Sequence, residues 1–281
     1  DSAAPVLPIL PRVIERNNMA SQVLAVSPEN HSHKSWRAAS NYQFAAAIPM
    51  VSVVLSELGK VASIFPMALV ERGGGYELAA LFGLQNGQNL FVDPQGRWMA
   101  RYIPARLRAY PFSLAFREGQ ADPLLCVDEA SGLVGEAGDG EPFFETSGTL
   151  APQLQSFVNF LGALEKERRA TAAAIETVVK LQLLKPLKIK GAATDPSGQP
   201  LHDFTGLHAI DENRLQALDA TELALLRDQR GLPLVYAQLL SLYQLESLDL
   251  LLRLRRQQEA PAAPQAGAQD LTPTSDVFRF S

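Results

Sequence analysis

The sequence predicts an α+β protein, in which a mainly antiparallel N-terminal sheet packs with a helical C-terminal half. Between about Phe44 and Val127, short apolar runs alternate with turn residues, a pattern typical of antiparallel strands. From about Pro152 to Arg256, apolar residues instead recur at helical spacing. A parallel doubly wound sheet is excluded, because the strand-rich half is too tightly spaced to contain crossover connections.

Shifts in composition divide the chain into five segments. They are an N-terminal extension or arm at 1–38, a strand-rich half at 39–131, a loop at 132–148, a helical half at 149–256 and a Pro/Ala-rich tail with an apolar end at 257–281. Met19 precedes small residues, as an initiator methionine does, so we expect residues 1–18 to be either vector-derived or an extension from another start site. The polar stretch around residues 28–34 lacks a hydrophobic period and is predicted to be an arm or loop.

The strand-rich half begins with a short predicted helix. Apolar residues from Val54 to Ile64 have helical spacing, and Pro66 ends the helix. Runs at 67–70 and 76–81 flank three glycines and predict a β-hairpin. The glycines are not predicted to form a phosphate loop. Such a loop needs a Lys followed by Ser or Thr and then a helix, and neither follows these glycines. Further strands are predicted at 89–92, 98–102, 112–116 and 124–127.

The helical half contains two apolar stripes, at 154–164 and 175–183, divided by the charged stretch 165–169. Asp211 is predicted to cap a short helix, and Asp219 has capping-box spacing with Glu222. Gly231 and Pro233 are predicted to break the chain before a last helix at 234–256. The uncharged run there has 15 residues, whereas a membrane span needs about 20, so no span is predicted.

Composition also bears on partners and compartment. A net charge of −5 provides no overall positive field for phosphate backbones, so nucleic acid is not an expected partner. The single cysteine, Cys126, cannot form an intramolecular disulfide, and the sequence lacks the features of a secretory signal. We therefore expect a cytoplasmic protein.

The segment 89–112 holds the candidate ligand-binding residues. They are Asn89, Asp93, Arg97, Trp98, Arg101, Tyr102 and Arg108. Strand alternation would place Trp98 and Tyr102 on one face and Arg97 and Arg101 on the other. Guanidinium forks beside an indole suit a carboxylate on a peptide or a glycan. The alternative is structural: Trp98, Tyr102 and Phe112 fill the core, while the arginines pair with Asp93, Glu57 or Glu118.

Other reactive residues do not form a catalytic motif. Cys126 lies in an apolar run typical of an inert buried thiol. An iron site at His202, Asp203 and His208 lacks the usual His-x-Asp or His-x-Glu form. Paired carboxylates among Glu57, Asp93 and Asp128 would have to meet in the fold, and capping or ion pairing explains them more simply. We predict no catalytic residue, metal or cofactor.

Motifs in order along residues 39–254 resemble the SapC family, named for a bacterial surface-layer-associated protein. They are Phe44-Ala45, Glu57, Phe65-Pro66, 89–93, Gly96-Arg97-Trp98, 102–105, Arg108, Tyr110-Pro111-Phe112, Gly206-Leu207, Ile210-Asp211-Glu212, Leu215, Leu218 and 236–242.

The resemblance implies a role linked to surface-layer or outer-membrane uptake systems. Genes of the family often lie beside those for TonB-dependent receptors, halogenase-like flavoproteins and cupin-like hydroxylases. We therefore expect a soluble accessory or binding protein that recognises a peptide or glycan. The alternative is an enzyme, or an enzyme's partner, in oxidative modification of peptides or small molecules. The apolar stretches 5–10 and 278–280 suggest partner docking or homo-oligomer formation through the termini.

Overall fold

The structure, a computed structural model, describes residues 22–116, 123–188 and 206–259. Its strands, in chain order, are β1 (Val23–Ala25), β2 (Lys34–Trp36), β3 (Met50–Ser52), β4 (Met67–Arg72), β5 (Gly75–Leu81), β6 (Phe112–Ala115), β7 (Leu124–Asp128), β8 (Val134–Glu136), β9 (Glu141–Pro142), β10 (Leu184–Pro186) and β11 (Leu207–Ile210). Its helices are α1 (Pro28–His31), α2 (Leu58–Val61), α3 (Ala105–Arg108), α4 (Pro152–Lys180), α5 (Glu212–Gln216), α6 (Ala220–Asp228), α7 (Gly231–Ser241) and α8 (Gln244–Glu259). The named strands pair antiparallel, and the predicted α+β class is confirmed.

A five-stranded sheet in the order β10-β11-β4-β5-β3 is the centre of the larger core. The predicted hairpin is confirmed as β4 and β5, and its turn needs glycine because Gly73 and Gly74 have φ values of +56° and +81°. The short helix predicted before Pro66 is present as a 3-10 turn (Leu55–Glu57) followed by α2.

Two smaller sheets, β1-β7-β6 and β8-β2-β9, lie beside the smaller core. The prediction of an arm or loop around residues 28–34 is wrong, because α1 and β2 form there, and β2 pairs with β8 and β9. Strands of three residues are too short for a hydrophobic period, so the pattern missed them. The predicted loop 132–148 likewise contributes β8 and β9. Nothing tests the division into five segments, which stays a prediction.

The prediction of strands at 89–92 and 98–102 is wrong. The two stretches are joined by an isolated bridge between Val92 and Trp98 and do not form a strand ladder. Nearby side chains accept hydrogen bonds from backbone amides that would otherwise donate to a neighbouring strand. Asn89 Oδ1 accepts from the Phe91 amide, and Asp93 Oδ1 accepts from the amides of Gln95 and Arg97. Such hydrogen bonds favour a looped backbone over a strand.

The two apolar stripes of the helical half lie on one continuous helix, α4, rather than on separate helices. Leu154 and Leu161 pack in the smaller core, whereas Ile175 and Val178 pack in the larger. The charged stretch between them continues the helix, since Glu165 accepts hydrogen bonds from arginines three and four positions later. Helix α4 therefore joins the two cores.

At the C-terminal end, the predicted caps are confirmed. Asp211 accepts from the amide of Asn213, and Asp219 forms a capping box with Glu222. The prediction of a single last helix is wrong, because α7 ends at Ser241 and α8 begins at Gln244. Gly231 and Pro233 lie in the first turn of α7, where proline is tolerated.

Helix α7 is joined to the central sheet by two buried polar side chains. Gln238 donates to the carbonyl oxygen of Met67 and accepts from the amide of Ile210, each at 3.0 Å. Ser241 Oγ accepts from the Met67 amide at 2.9 Å. Among the described residues, no helix combines the length and the apolar composition that crossing a bilayer requires. The apolar termini, Glu118, His202 and Asp203 lie outside the described residues.

Candidate functional site

The segment 89–112 keeps the predicted alternation without forming a strand. Trp98 and Tyr102 are half-buried, whereas Arg97, Met99 and Arg101 are exposed. Extended backbone alone alternates its side chains, so the two faces persist although the ladder is missing. The exposed face of this segment is thus basic, with one large apolar side chain.

Asn89 and Asp93 hold the loop that opens the segment. The Asn89 amide donates to the carbonyl oxygen of Ala45 at 3.0 Å, and Asp93 Oδ2 accepts from Arg97 Nε at 2.6 Å. Burial opposes ionisation of Asp93, but hydrogen bonds from Arg97 and Gln95 hold the pKa of its carboxyl below the usual value. Arg97 therefore pairs with Asp93, as the structural alternative predicts.

Trp98 anchors the segment against the larger core. Its ring packs around 5 to 6 Å from the rings of Tyr42, Phe65, Phe82 and Phe91, measured between centroids. Its Nε1 donates to the carbonyl oxygen of Tyr102 at 2.8 Å. The indole thus has a satisfied polar atom and fixes the backbone at Tyr102.

Glu57 lies beneath the segment and is buried, with 4% of its surface exposed. Its Oε1 accepts from the Tyr102 hydroxyl and from the Ala105 amide, both at 2.7 Å, and its Oε2 accepts from the Val54 amide at 3.4 Å. Glu57 thus joins α2 to Tyr102 and to the start of α3. The predicted partner of Glu57 was an arginine, but the structure gives it a phenol and backbone amides.

Tyr102 is held as a neutral phenol. Burial, reinforced by the hydrogen bond to Glu57 and by its negative charge, raises the pKa of Tyr102 to about 12. Its hydroxyl points inward to Glu57, and its ring is half-buried at the surface.

Two cationic side chains lie over this ring, and a third, Arg101, contacts the turn that follows α2. Lys60 Nζ lies 5.4 Å from the ring centroid of Tyr102, and the Arg108 guanidinium carbon lies 5.9 Å from it. Arg108 also lies 5.3 Å from the ring of Phe160 and donates to the carbonyl oxygen of Ile103. Arg101 Nη2 is 3.4 Å from the carbonyl oxygen of Ser63, one helical turn from Lys60.

We call Lys60, Arg101, Tyr102 and Arg108 the basic patch. Within the part of the chain that the structure describes, none of its three cations forms an ion pair with a carboxylate. The buried Glu57 lies behind the ring and is occupied by its three donors. The patch can therefore attract an anionic group from solvent.

The structure brings three of the seven predicted residues together and gives the other four different positions. Tyr102 and Arg108 meet in the basic patch, and Arg101 joins it at the turn after α2, whereas Asn89, Asp93, Arg97 and Trp98 form the loop and its anchor. Lys60 was missed, because it comes from a helix some 40 residues earlier in the chain. Its only sequence signal is a lone cation in an otherwise apolar short helix.

The remaining reactive residues lie apart from this patch. Cys126 is buried on β7, and its Sγ is 3.8 Å from the carbonyl oxygen of Leu124. His208 lies on β11 against the ring of Tyr76. Asp128 accepts from the Ala130 amide, as a turn cap does. The described residues contain no group of three or more His, Cys, Asp or Glu side chains placed to hold a metal ion.

Comparison with known proteins gives one family. The family model described as SapC matches residues 26–248, so it also covers β2 and α1, which precede the motifs found in the sequence. No curated protein and no solved structure matches the chain. Because the match covers well over half of the 281-residue chain, including the basic patch, the chain belongs to the SapC family.

Proposed function

We propose that this SapC-family protein is an accessory protein that binds acidic peptide segments at its basic patch. The observation that carries the proposal is the position of Lys60 and Arg108 over the Tyr102 ring and of Arg101 at the turn after α2, with no carboxylate ion-paired to them among the described residues. A carboxylate from a ligand would supply the missing anion. Arginine is suited to this role because its planar fork matches a carboxylate.

The patch is preorganised for binding. Glu57 fixes the Tyr102 hydroxyl, and the rings of Tyr102 and Phe160 both lie near the Arg108 guanidinium. Side chains held before binding lose less conformational entropy when the ligand arrives. Asn89, Asp93 and Trp98 support this arrangement by fixing the loop, and Arg97 lies on the same exposed face as Arg101.

A peptide fits the surface better than a glycan. Met99, on the exposed face with Arg101, has 62% of its surface exposed. A flexible thioether offers an adaptable apolar contact to a neighbouring side chain of a peptide. A glycan is polar over most of its surface and would leave that contact unused.

The wider role we propose follows from family membership. We propose that the binding serves surface-layer or outer-membrane uptake systems, and that the protein acts in the cytoplasm. The single, buried cysteine supports this compartment, because the sequence contains no disulfide that would need oxidising conditions. An enzyme or enzyme partner is the alternative, and a flavin or metal retained by the purified protein would favour it.

The proposal is tested with labelled decapeptides rich in Asp and Glu, each paired with its Asn and Gln counterpart, in fluorescence anisotropy titrations. We expect the acidic peptides to bind more tightly. Arg101→Ala and Arg108→Ala should each weaken binding about tenfold, since a charge-assisted hydrogen bond contributes roughly 1.5–3 kcal/mol. Raised salt should weaken binding to the wild-type protein.

The matched control is Arg227→Ala, which removes an exposed arginine on α6 that is paired with Asp228. It should leave the affinity unchanged. Thermal melts on every variant separate loss of binding from loss of fold. Equal affinity for acidic and amide peptides, or arginine variants that unfold without altering the affinity of the folded fraction, would refute the proposal. If the protein preferred a uronic-acid oligosaccharide to every peptide, its ligand would be an acidic glycan and the proposed peptide binding would be wrong.

A further inference from the structure

A second candidate site is a cleft of about 260 Å³ at the junction of the two cores. Helix α4 crosses this junction, and its residues from Leu161 to Ile175 form one wall. The opposite wall comes from β5 and β6. Clefts between packed units are common ligand sites.

The walls of the cleft are mostly apolar. They are formed by Val54, Leu78, Leu114, Phe116, Leu161 and Ile175. Leu78 and Ile175 belong to the larger core and Leu114 and Leu161 to the smaller, so neither core fills the space between them. An apolar chain placed there would be removed from water on both sides.

Arg106 brings a positive charge into this apolar space. It lies on α3, where its neighbour Arg108 is exposed on the basic patch while Arg106 is partly buried and lines the cleft. Burial lowers the pKa of Arg106, although a guanidinium remains charged at neutral pH. Among the described residues, its side chain has no hydrogen-bond acceptor and no carboxylate within ion-pair distance.

The other charged groups of the cleft have partners. Arg168 Nε donates to Glu165 at 2.7 Å, and Arg72 lies 3.8 Å from Glu77, which also accepts from Ser52 Oγ at 2.6 Å. Counted over the described residues, three guanidiniums thus face two carboxylates. The cleft has an excess of one positive charge, and Arg106 is the one of these three cations without an ion pair or hydrogen bond within the described part of the chain, although the charges of Glu77 and Glu165 act on it from a longer distance.

We infer that this cleft binds a small amphipathic monoanion, a carboxylate with an unbranched apolar chain. The carboxylate would accept paired hydrogen bonds from Arg106, and the chain would lie along the apolar walls. The volume of about 260 Å³ lies just below the range of roughly 300–1,000 Å³ for small-molecule sites, which favours a short ligand. Glu77 and Glu165 disfavour a second negative charge, so a phosphate dianion fits less well. This site is separate from the basic patch and does not depend on the proposed peptide binding.

The inference is tested by isothermal titration of the full chain with hexanoate, octanoate and decanoate, each compared with the primary alcohol of the same length. We expect octanoate to bind at least tenfold more tightly than octanol. Each added pair of methylenes should tighten binding about fifteenfold until the cleft is full, from roughly 0.8 kcal/mol per buried methylene. A flat dependence on chain length, or equal binding of acids and alcohols, would overturn the inference.

Two variants test the contributions of the ligand's carboxylate and of its apolar chain separately. Arg106→Met should abolish the preference for the acid and leave octanol binding within about threefold, because the apolar walls remain. Ala172→Phe fills the cleft from α4 and should abolish binding of both ligands. Arg227→Met, on the exposed face of α6, should change neither.

Folding of the variants is checked by thermal melts, and Arg106→Lys provides a milder change. Lysine keeps the charge but lacks the fork, so octanoate should bind more weakly than to the wild type and more tightly than to Arg106→Met. Retention of full octanoate affinity in folded Arg106→Met or Arg106→Lys would overturn the assignment. Retention in folded Ala172→Phe would show that the ligand binds elsewhere.

Discussion

The hydrogen bond between Glu57 and Tyr102 provides a direct test of how the candidate site is built. Replacing Tyr102 with Phe removes the hydroxyl that donates to Glu57 Oε1 at 2.7 Å and leaves the ring in place. Glu57→Gln removes the charge while keeping a similar shape. Because the Gln amide oxygen can still accept a hydrogen bond, the two changes together form a double-mutant cycle that isolates the part of this contact that depends on the charge of Glu57.

The expected size follows from burial and charge. A hydrogen bond to a charged group contributes about 1.5–3 kcal/mol net, and the partial exposure of Tyr102 places the value at the lower end. We therefore expect Tyr102→Phe to lower the free energy of unfolding by about 1–2 kcal/mol. Glu57→Gln should cost about 2–3 kcal/mol, because it also weakens the bond from the buried Ala105 amide.

The assay is urea unfolding monitored by tryptophan fluorescence, with Glu71→Gln, an exposed residue near the C-terminal end of β4, as the matched control. The control should change stability by less than about 0.5 kcal/mol. We expect a coupling energy between Glu57 and Tyr102 of about 1 kcal/mol or more. Strict additivity of the two single changes would refute the reasoning, since it would mean that the negative charge of Glu57 adds nothing to its contact with the phenol.

Further predictions concern single groups. Because the pKa of Tyr102 is raised to about 12, the stability that its neutral form provides is present below about pH 10 and lost as the pH rises toward 12. An absorbance titration should show a late-ionising phenol that Tyr102→Phe removes, and ionisation of every phenol near pH 10 in folded protein would contradict this. Burial lowers the pKa of His31, so its contribution is present above about pH 6.5 and lost as the pH falls. Melting temperatures from pH 7 to 5 should fall more for the wild type than for His31→Gln, and parallel curves would count against it. Trp98→Ala should cost about 3–5 kcal/mol in urea unfolding, and a loss below about 1 kcal/mol would show that the ring is not an anchor. Gly96→Ala should cost at least about 1–2 kcal/mol, because φ is +78° and the new methyl would overlap Asn41. An unchanged unfolding midpoint would contradict that strain.

Several features of the fold could be predicted because their causes are local in sequence. The hairpin of β4 and β5 follows from apolar runs around three glycines, and the cap at Asp219 follows from a carboxylate spaced three residues from Glu222. The alternating faces around Trp98 also need only an extended backbone. The missing ladder at the same place shows the limit of such reasoning, because Asn89 and Asp93 compete for the backbone donors.

Sequence alone thus determined the class of the fold, the family resemblance, the turns, the caps and three members of the basic patch. Only the tertiary structure decided that Glu57 supports Tyr102, that Lys60 joins Arg108 at the same ring, and that Arg106 faces a cleft without an anion. The physical reason is distance along the chain. Periodicity and capping act over a few residues, whereas these contacts join helices and loops that are far apart in the sequence and meet only in the folded chain.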